Sequence, residues 1–196
     1  MIRFASYAEP ISDTDLKKMY TSSHFDTDIP TGLYNKVQFD IRFYFCQRGD
    51  ENMSSMTKSS FIMNIDPDTG KRYVTKTDEL SKNHRGNDTE ADSGCMPETS
   101  TKDCPVTSFE KYLSKLHPEQ NRFWCYPRDS FYTEDEVWYT RKPVGINTLC
   151  RFLPDLSRHC KLSQTYTNHS IRATTASVLH QEHFHPKEIQ SMTRHK

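Results

Sequence analysis

The chain has 196 residues, which is enough for one domain of ordinary size. Hydrophobic residues make up only 34% of it, and no apolar run reaches the length of about 18 residues that a membrane-spanning helix needs. A net charge of zero together with 12% aromatic residues excludes a fully disordered chain. The first residues lack a basic segment followed by an apolar one, so no secretory signal is expected. Six cysteines without a Cys-x-x-Cys pair predict reduced thiols in an intracellular protein.

Charge is distributed unevenly along the chain. Residues 78–103 carry seven acidic and three basic side chains, whereas residues 151–196 carry seven basic and three acidic ones. Six of the nine histidines also lie in that last stretch. A basic C-terminal part suits an anionic partner such as nucleic acid, and a solvated basic face without a partner is the alternative.

Two helices are predicted at the start of the chain. Residues 10–23 predict a short helix with Ser12 as its N-cap, because Asp15 follows three positions later. Residues 30–32 are expected to break the chain. A second helix is predicted over 33–47, and its broad apolar stripe indicates that it is buried.

A β-hairpin is predicted next. Residues 60–65 and 71–76 are β-prone, and they flank a turn with the sequence Pro-Asp-Thr-Gly. The polar residues 82–103 predict a loop. Its part over 83–103 is acidic, and a disordered loop is compatible with this composition.

Helices are predicted through the second half of the chain, over residues 106–116, 145–160 and 168–181 and from Pro186 onwards. Pro154 is expected to kink or break the second of these helices. Residues 121–140 are aromatic and irregular, which predicts core packing, with base stacking as the alternative.

Five basic residues are singled out by their order along the chain. His169 and Arg172 are three residues apart, so they share one face of a helix. Arg48 ends the predicted buried helix, Lys82 follows the hairpin and His195 lies near the C-terminus. Each of them alone has an ordinary explanation, such as a salt bridge or a solvated charge. Their order along the chain is therefore the informative feature.

That order resembles the catalytic domain of tyrosine recombinases. More narrowly, the chain is similar to the recombinase domain of Crypton DNA transposons and of the host proteins derived from them. Those hosts include MYM-type zinc-finger proteins and a glutamine-rich nuclear protein, which carry the domain at their C-terminal ends. The clearest matching segment is Tyr-Thr-Asn-His-Ser-Ile-Arg-Ala-Thr at 166–174. Further matching segments lie at residues 32–37, 45–49, 80–82, 104–106, 112–115, 137–139 and 143–149.

The resemblance implies an α+β fold, mainly α, with one small antiparallel β-hairpin or sheet. Residues 1–9 would be an N-terminal extension and residues 10–196 the recombinase-like domain. The implied chemistry is phosphoryl transfer without a metal, so no cofactor and no metal are expected. The His and Cys spacings also match no zinc-finger pattern.

The resemblance also implies a role for each of the five residues. Arg48 and Arg172 would hold the scissile phosphate, since a guanidinium offers forked donors and a permanent charge. Lys82 would protonate the leaving 5′-oxygen, and His169 would handle the proton of the nucleophile. His195 would hydrogen-bond the phosphate.

The C-terminal end departs from the family pattern. The family attacks the phosphate with a tyrosine shortly after a Thr-Gly-His element and forms a 3′-phosphotyrosyl link. Here Arg194 replaces that glycine, and Tyr166 is the last tyrosine of the chain. The sequence therefore predicts a domain truncated before its nucleophile, and the family's N-terminal DNA-clamping domain is absent as well.

Three functions are compatible with these observations. The first is a DNA-binding, tyrosine-recombinase-like domain of Crypton descent, catalytically inactive as given, that binds duplex DNA weakly and in a salt-dependent manner. The second is a domesticated module that binds other nuclear proteins. The third is a fragment of an active DNA recombinase or integrase whose catalytic tyrosine is cut off. The resemblance implies a nuclear location, and no membrane association is expected.

Overall fold

The computed structural model describes residues 8–47, 50, 52–77 and 94–184. In this part of the chain six α-helices and two small antiparallel sheets are found. The helices are α1 (Asp13–Tyr20), α2 (Pro30–Tyr44), α3 (Pro105–Lys115), α4 (Ile146–Cys150), α5 (Phe152–His159) and α6 (Asn168–Gln181). The strands are β1 (Phe61–Ile65), β2 (Arg72–Lys76), β3 (Cys95–Pro97), β4 (Cys125–Pro127) and β5 (Tyr139–Pro143). The predicted mainly helical α+β architecture is confirmed.

Helix α1 begins as the sequence predicts, with the Oγ of Ser12 accepting a hydrogen bond of 3.2 Å from the backbone N–H of Asp15. Helix α2 begins at Pro30, so the predicted break at 30–32 is wrong. Proline lacks an N–H and has a helical φ, and it is therefore favoured at the first position of a helix. Gly32 is needed there because a Cβ would lie 2.0 Å from the carbonyl oxygen of Asp26.

The predicted hairpin is confirmed, with β1 and β2 antiparallel and Phe61 opposite Lys76. Its turn closes at Gly70, whose φ of 69° is the left-handed conformation that glycine adopts without strain. Strand β3 pairs with β2 on the other side, which corrects the prediction of a continuous loop over 82–103. The guanidinium of Arg72, on β2, contacts both Glu98, just after β3, and Glu110 on α3.

In the second half, α3 and α6 lie where the sequence predicts them. The helix predicted over 145–160 is instead two helices that meet at Arg151. This interruption confirms the expected effect of Pro154, which lacks the N–H that a continuous helix would donate to the carbonyl oxygen of Cys150 and instead lies in the first turn of α5. Strands β4 and β5 form a two-stranded sheet within the stretch predicted to be irregular. The helix predicted from Pro186 lies outside the described residues.

Two hydrophobic clusters flank α2. The larger one contains the aromatic side chains of residues 121–140, among which Trp124 and Trp138 are at most 2% exposed. Core packing therefore explains the buried rings of this stretch, which bases cannot reach, whereas Tyr132 is exposed. The smaller cluster joins α1, α5 and α6 to the opposite side of α2 through Met19, Leu153 and Ile171. Within the described ranges, no helix is long and apolar enough to cross a membrane.

Candidate functional site

The candidate site lies at the start of α6. His169 is exposed in the first turn of this helix, and Arg172 follows one turn later with only 7% of its surface exposed. The amino end of a helix carries partial positive charge, so both side chains stand where an anion is favoured. Arg48, Lys82 and His195 lie outside the described residues.

Asn168, directly before His169, connects α6 to three other parts of the chain. Its side-chain oxygen accepts a hydrogen bond of 2.9 Å from the backbone N–H of Leu153 at the start of α5. Its amide nitrogen donates to the carbonyl oxygens of Leu149 and Cys150 at 3.0 Å. The same nitrogen lies 2.8 Å from the carboxylate of Asp50. The buried amide therefore fixes the start of α6 against α4, α5 and the segment that follows α2.

Arg42 and Asn168 share two hydrogen-bond acceptors, the carboxylate of Asp50 and the carbonyl oxygen of Leu149. The Nη2 of Arg42 donates to Asp50 at 2.9 Å and to the carbonyl oxygen of Leu149 at 3.1 Å. The guanidinium is 5.7 Å from the ring centre of Phe152 and is almost fully buried. Burial lowers the pKa of Arg42, and the neighbouring carboxylate opposes that shift. A buried guanidinium is strongly destabilising without a carboxylate partner, so the ion pair with Arg42 holds Asp50 against the core.

The carboxylate of Asp50 is stabilised in its charged form. Burial raises the pKa of Asp50, but hydrogen bonds from Cys150, Arg42 and Asn168 outweigh it, and the net shift is downward. In turn, burial and the bond to Asp50 raise the pKa of the Cys150 thiol. Asp50 therefore stays ionised at neutral pH and joins two segments that are 118 residues apart in sequence.

A second carboxylate, Asp15 on α1, fixes the segment that leads into α6. It accepts hydrogen bonds from the backbone N–H of Ser163 at 3.1 Å and from the hydroxyl of Tyr166 at 2.9 Å. Burial raises the pKa of Asp15, but a hydrogen bond from the Ser163 hydroxyl, the two bonds above and one from Lys18 together hold it far below its usual range. Tyr166 is 3% exposed, so its hydroxyl serves the fold.

Beyond its first turn, α6 is held by small polar side chains. The hydroxyl of Thr175 donates to the carbonyl oxygen of Phe43 on α2 at 3.0 Å. The hydroxyl of Thr174 accepts from the backbone N–H of Ile11 at 2.8 Å. These bonds fix the rotation of the helix about its axis, and with it the outward direction of His169.

Sequence reasoning did not identify Arg42, Asp50 and Asn168. The sequence did contain a clue to Arg42, because an arginine inside a helix that is predicted to be buried needs an acidic partner. The sequence contained no clue to the contact between Asp50 and Asn168, because that contact forms only in the folded chain. In the described part of the chain, no group of three or more His, Cys, Asp or Glu side chains is arranged to hold a metal ion.

Residues 12–158 match the family model described as "Domain of unknown function (DUF3504)". No curated protein matches the sequence. The fold is similar to that of XerH site-specific recombinase bound to palindromic difH substrate, with a TM-score of 0.55 and 12% identity over 96% of this chain and 47% of that one. It is also similar to a lambda integrase(75-356) dimer bound to a COC' core site, with a TM-score of 0.54 and 13% identity over 99% of this chain and 60% of that one.

XerA recombinase is similar as well, with a TM-score of 0.51 and 14% identity over 95% of this chain and 56% of that one. The chain therefore spans between 47% and 60% of the length of these three proteins. The similarity confirms the fold predicted from the sequence, that of a tyrosine recombinase catalytic domain.

Proposed function

The chain belongs to the DUF3504 family and has the fold of tyrosine recombinase catalytic domains, and on this basis we propose that it is a DNA-binding domain with its phosphate site at the start of α6. The observation that carries the proposal is the hydrogen bond between Asp50 and Asn168. Asp50 comes two residues after Arg48, and Asn168 comes directly before His169. The bond thus supports a common site for residues from two distant segments.

The resemblance implies catalytic roles for five residues, and for a domain that binds DNA without cleaving it we propose that the same residues act in binding. Arg172 and Arg48 contact the non-bridging oxygens of a DNA phosphate. His169 lies at the exposed edge of the site and donates a hydrogen bond to the same phosphate. Lys82 and His195 contribute further positive charge or hydrogen bonds to the DNA backbone.

The burial of Arg172 suits this role. Its guanidinium cannot lose its proton under ordinary conditions, so its charge persists at every pH of interest. A charge that is 7% exposed acts through a medium less polarisable than water, which strengthens its attraction for a nearby phosphate. His169, being exposed, adds a weaker contribution because water screens its interactions.

We further propose that the 196-residue chain binds DNA without forming a covalent link to it. No tyrosine follows Tyr166 in the sequence, and the Tyr166 hydroxyl is buried against Asp15. The arginines can stabilise charge on a phosphate, but they cannot supply the attacking oxygen. The Crypton descent, the nuclear location and the domain limits of 10–196 belong to the same proposal and depend on the sequence segments that resemble that family.

Fluorescence anisotropy with a labelled DNA duplex tests the binding. We expect the affinity to be weak and to fall as the salt concentration rises, because phosphate contacts release counterions. Arg172→Ala should lower the affinity at low salt about tenfold or more, which is the size expected for losing a charge-assisted hydrogen bond. Arg158→Ala is the matched control, because it removes the same charge from an exposed side chain on α5 that pairs with Asp155.

His169→Ala provides a second test that does not depend on a buried side chain. It should lower the affinity by a few-fold and leave the circular dichroism spectrum unchanged. Two results would contradict a phosphate site at α6. One is an affinity for DNA that does not change with salt concentration, and the other is a loss of affinity in Arg158→Ala as large as that in Arg172→Ala. Either result would favour the module that binds other nuclear proteins.

A nicked suicide duplex tests for covalent chemistry. Such a substrate traps the phosphotyrosyl intermediate, and a denaturing gel then retains the protein on the DNA. We expect no retained adduct with the 196-residue chain. If an adduct forms and Tyr166→Phe abolishes it, then Tyr166 is a nucleophile and the proposal of binding without cleavage is wrong.

A further inference from the structure

Strand β1 forms one edge of the three-stranded sheet, with β2 in the centre. One backbone hydrogen bond lies at each end of the ladder between β1 and β2. At one end the N–H of Thr77 donates to the carbonyl oxygen of Ser60, and at the other the N–H of Asp66 donates to the carbonyl oxygen of Lys71. Hydrogen-bonded residues alternate along an antiparallel pair. The even-numbered residues of β1 therefore face β2 with their backbone groups. Phe61, Met63 and Ile65 direct their N–H and C=O groups away from the sheet.

The side chains on this edge are unusually apolar. Ile62, Met63 and Ile65 are 49%, 36% and 67% exposed. Edge strands are usually protected from pairing by a lysine, a proline or a bulge. The sequence of β1, Phe-Ile-Met-Asn-Ile, contains no charge and no proline, and its register with β2 is regular. Among the described residues, none forms a third ladder on this side.

We propose that β1 is an interface that pairs antiparallel with β1 of a second copy of this chain. A two-fold axis at Met63 places Phe61 of one copy opposite Ile65 of the other, and Met63 opposite its own counterpart. All three pairs then join residues whose backbone groups face outward. The two sheets would continue into one sheet of six strands.

The ends of the strand favour a second copy over an unrelated segment. Lys58, whose Nζ donates to the carbonyl oxygens of His117 and Pro118, precedes β1. Asp66 and Asp68 follow β1 in the turn and outnumber the one cation there, Lys71. Antiparallel self-pairing brings the basic end of each strand to the acidic end of the other, so the charges are complementary. Ile65 of one copy would also cover Phe61 of the other and remove exposed apolar surface from water.

The contact is small, because each copy contributes only one five-residue strand. Interfaces that bury less than about 1,000 Å² support weak or transient association. We therefore expect a monomer–dimer equilibrium that depends on protein concentration.

Cysteine cross-linking tests the register. In a hydrogen-bonded antiparallel pair the opposed Cα atoms lie about 5.5 Å apart, which a disulfide can span. Met63→Cys should therefore cross-link two copies under mild oxidation, in a background where the exposed Cys95 and Cys150 are replaced by serine. Ile65→Cys is the matched control, because its two copies would be separated by four residues along the strand, about 14 Å. Peptide mass spectrometry identifies the linked position.

Sedimentation velocity over a range of concentrations tests the association itself. The average mass of the natural chain should rise with concentration. Met63→Pro should abolish the rise, since it removes an outward N–H that β2 does not use, and Ile65→Lys should do the same by adding charge. Tyr132→Lys, at a residue that is 76% exposed outside the sheet, should leave the rise intact.

Three outcomes would overturn the proposal. The natural chain could remain monomeric at every concentration. Both β1 variants could dimerise as well as the natural chain does. Ile65→Cys could cross-link as readily as Met63→Cys, which would exclude the proposed register.

Discussion

Replacing Asn168 by alanine tests whether this amide fixes the start of α6. Asp50 and the Leu149 carbonyl would each keep Arg42 as a donor. The buried N–H of Leu153 and the part-buried carbonyl of Cys150 would lose this partner. A buried polar group that loses its hydrogen bond costs about 1–3 kcal/mol. We therefore expect Asn168→Ala to lower the free energy of unfolding by about 3 kcal/mol.

Asn168→Asp separates the donor from the acceptor role. The new side chain keeps an oxygen for the Leu153 N–H, but it faces Asp50 and two carbonyls with oxygen where the amide presented N–H groups. Burial and the neighbouring carboxylate raise the pKa of the introduced acid, so its charged form is disfavoured in the folded state. The stability of this variant is therefore highest at low pH and is lost as the pH rises through that raised pKa. Asn168→Asp should be less stable than Asn168→Ala at pH 7, and the gap should shrink at pH 5.

Urea unfolding followed by circular dichroism measures both variants. Gln164→Ala is the matched control, because it removes an exposed amide from the segment that leads into α6, and it should change the unfolding free energy by less than about 0.5 kcal/mol. An Asn168→Ala effect below about 1 kcal/mol would refute the assignment of Asn168 as the amide that fixes α6. Equal stability of the two Asn168 variants at pH 7 would refute the reasoning on Asp50.

Three further predictions concern the other polar contacts. Tyr166→Phe removes the hydroxyl bond to Asp15 and should cost about 1–2 kcal/mol in urea unfolding. Lys36→Met leaves Asp40 buried without its cation and should cost about 3–5 kcal/mol, and adding Asp40→Leu should restore most of that loss. Because the folded-state pKa of Asp15 lies far below the ordinary value of 3.8, its stabilisation is present above that value and is lost as the pH falls below it; Asp15→Asn should flatten this acid dependence.

Local sequence patterns predicted the elements that local interactions determine. The hairpin follows from β-prone residues around a turn that only Gly70 completes easily, and α1 follows from the Ser12 cap. The errors arose where a local rule had two meanings. Proline at residue 30 starts a helix instead of breaking the chain. Strand β3 was missed because its three residues are stabilised by β2, not by their own propensity.

The candidate site could be predicted only in part. The spacing of His169 and Arg172 and their place on a helix follow from the sequence alone. The contact of Asp50 with Asn168 spans 118 residues, and no local pattern specifies such a pairing. The family resemblance supplied the expectation that distant segments meet, but it did not indicate which side chains connect them.

The described contacts explain why polar groups, more than apolar ones, position α6. The buried face of this helix carries Ser170, Thr174 and Thr175, and Ile171 is its one buried aliphatic side chain within 168–181. Apolar packing on so small a surface would leave the helix free to rotate, because it has no directional preference. Hydrogen bonds are directional, and those of Asn168 and Thr175 act at two different turns. Together they define a single rotation of the helix, in which His169 faces solvent while Arg172 stays almost fully buried.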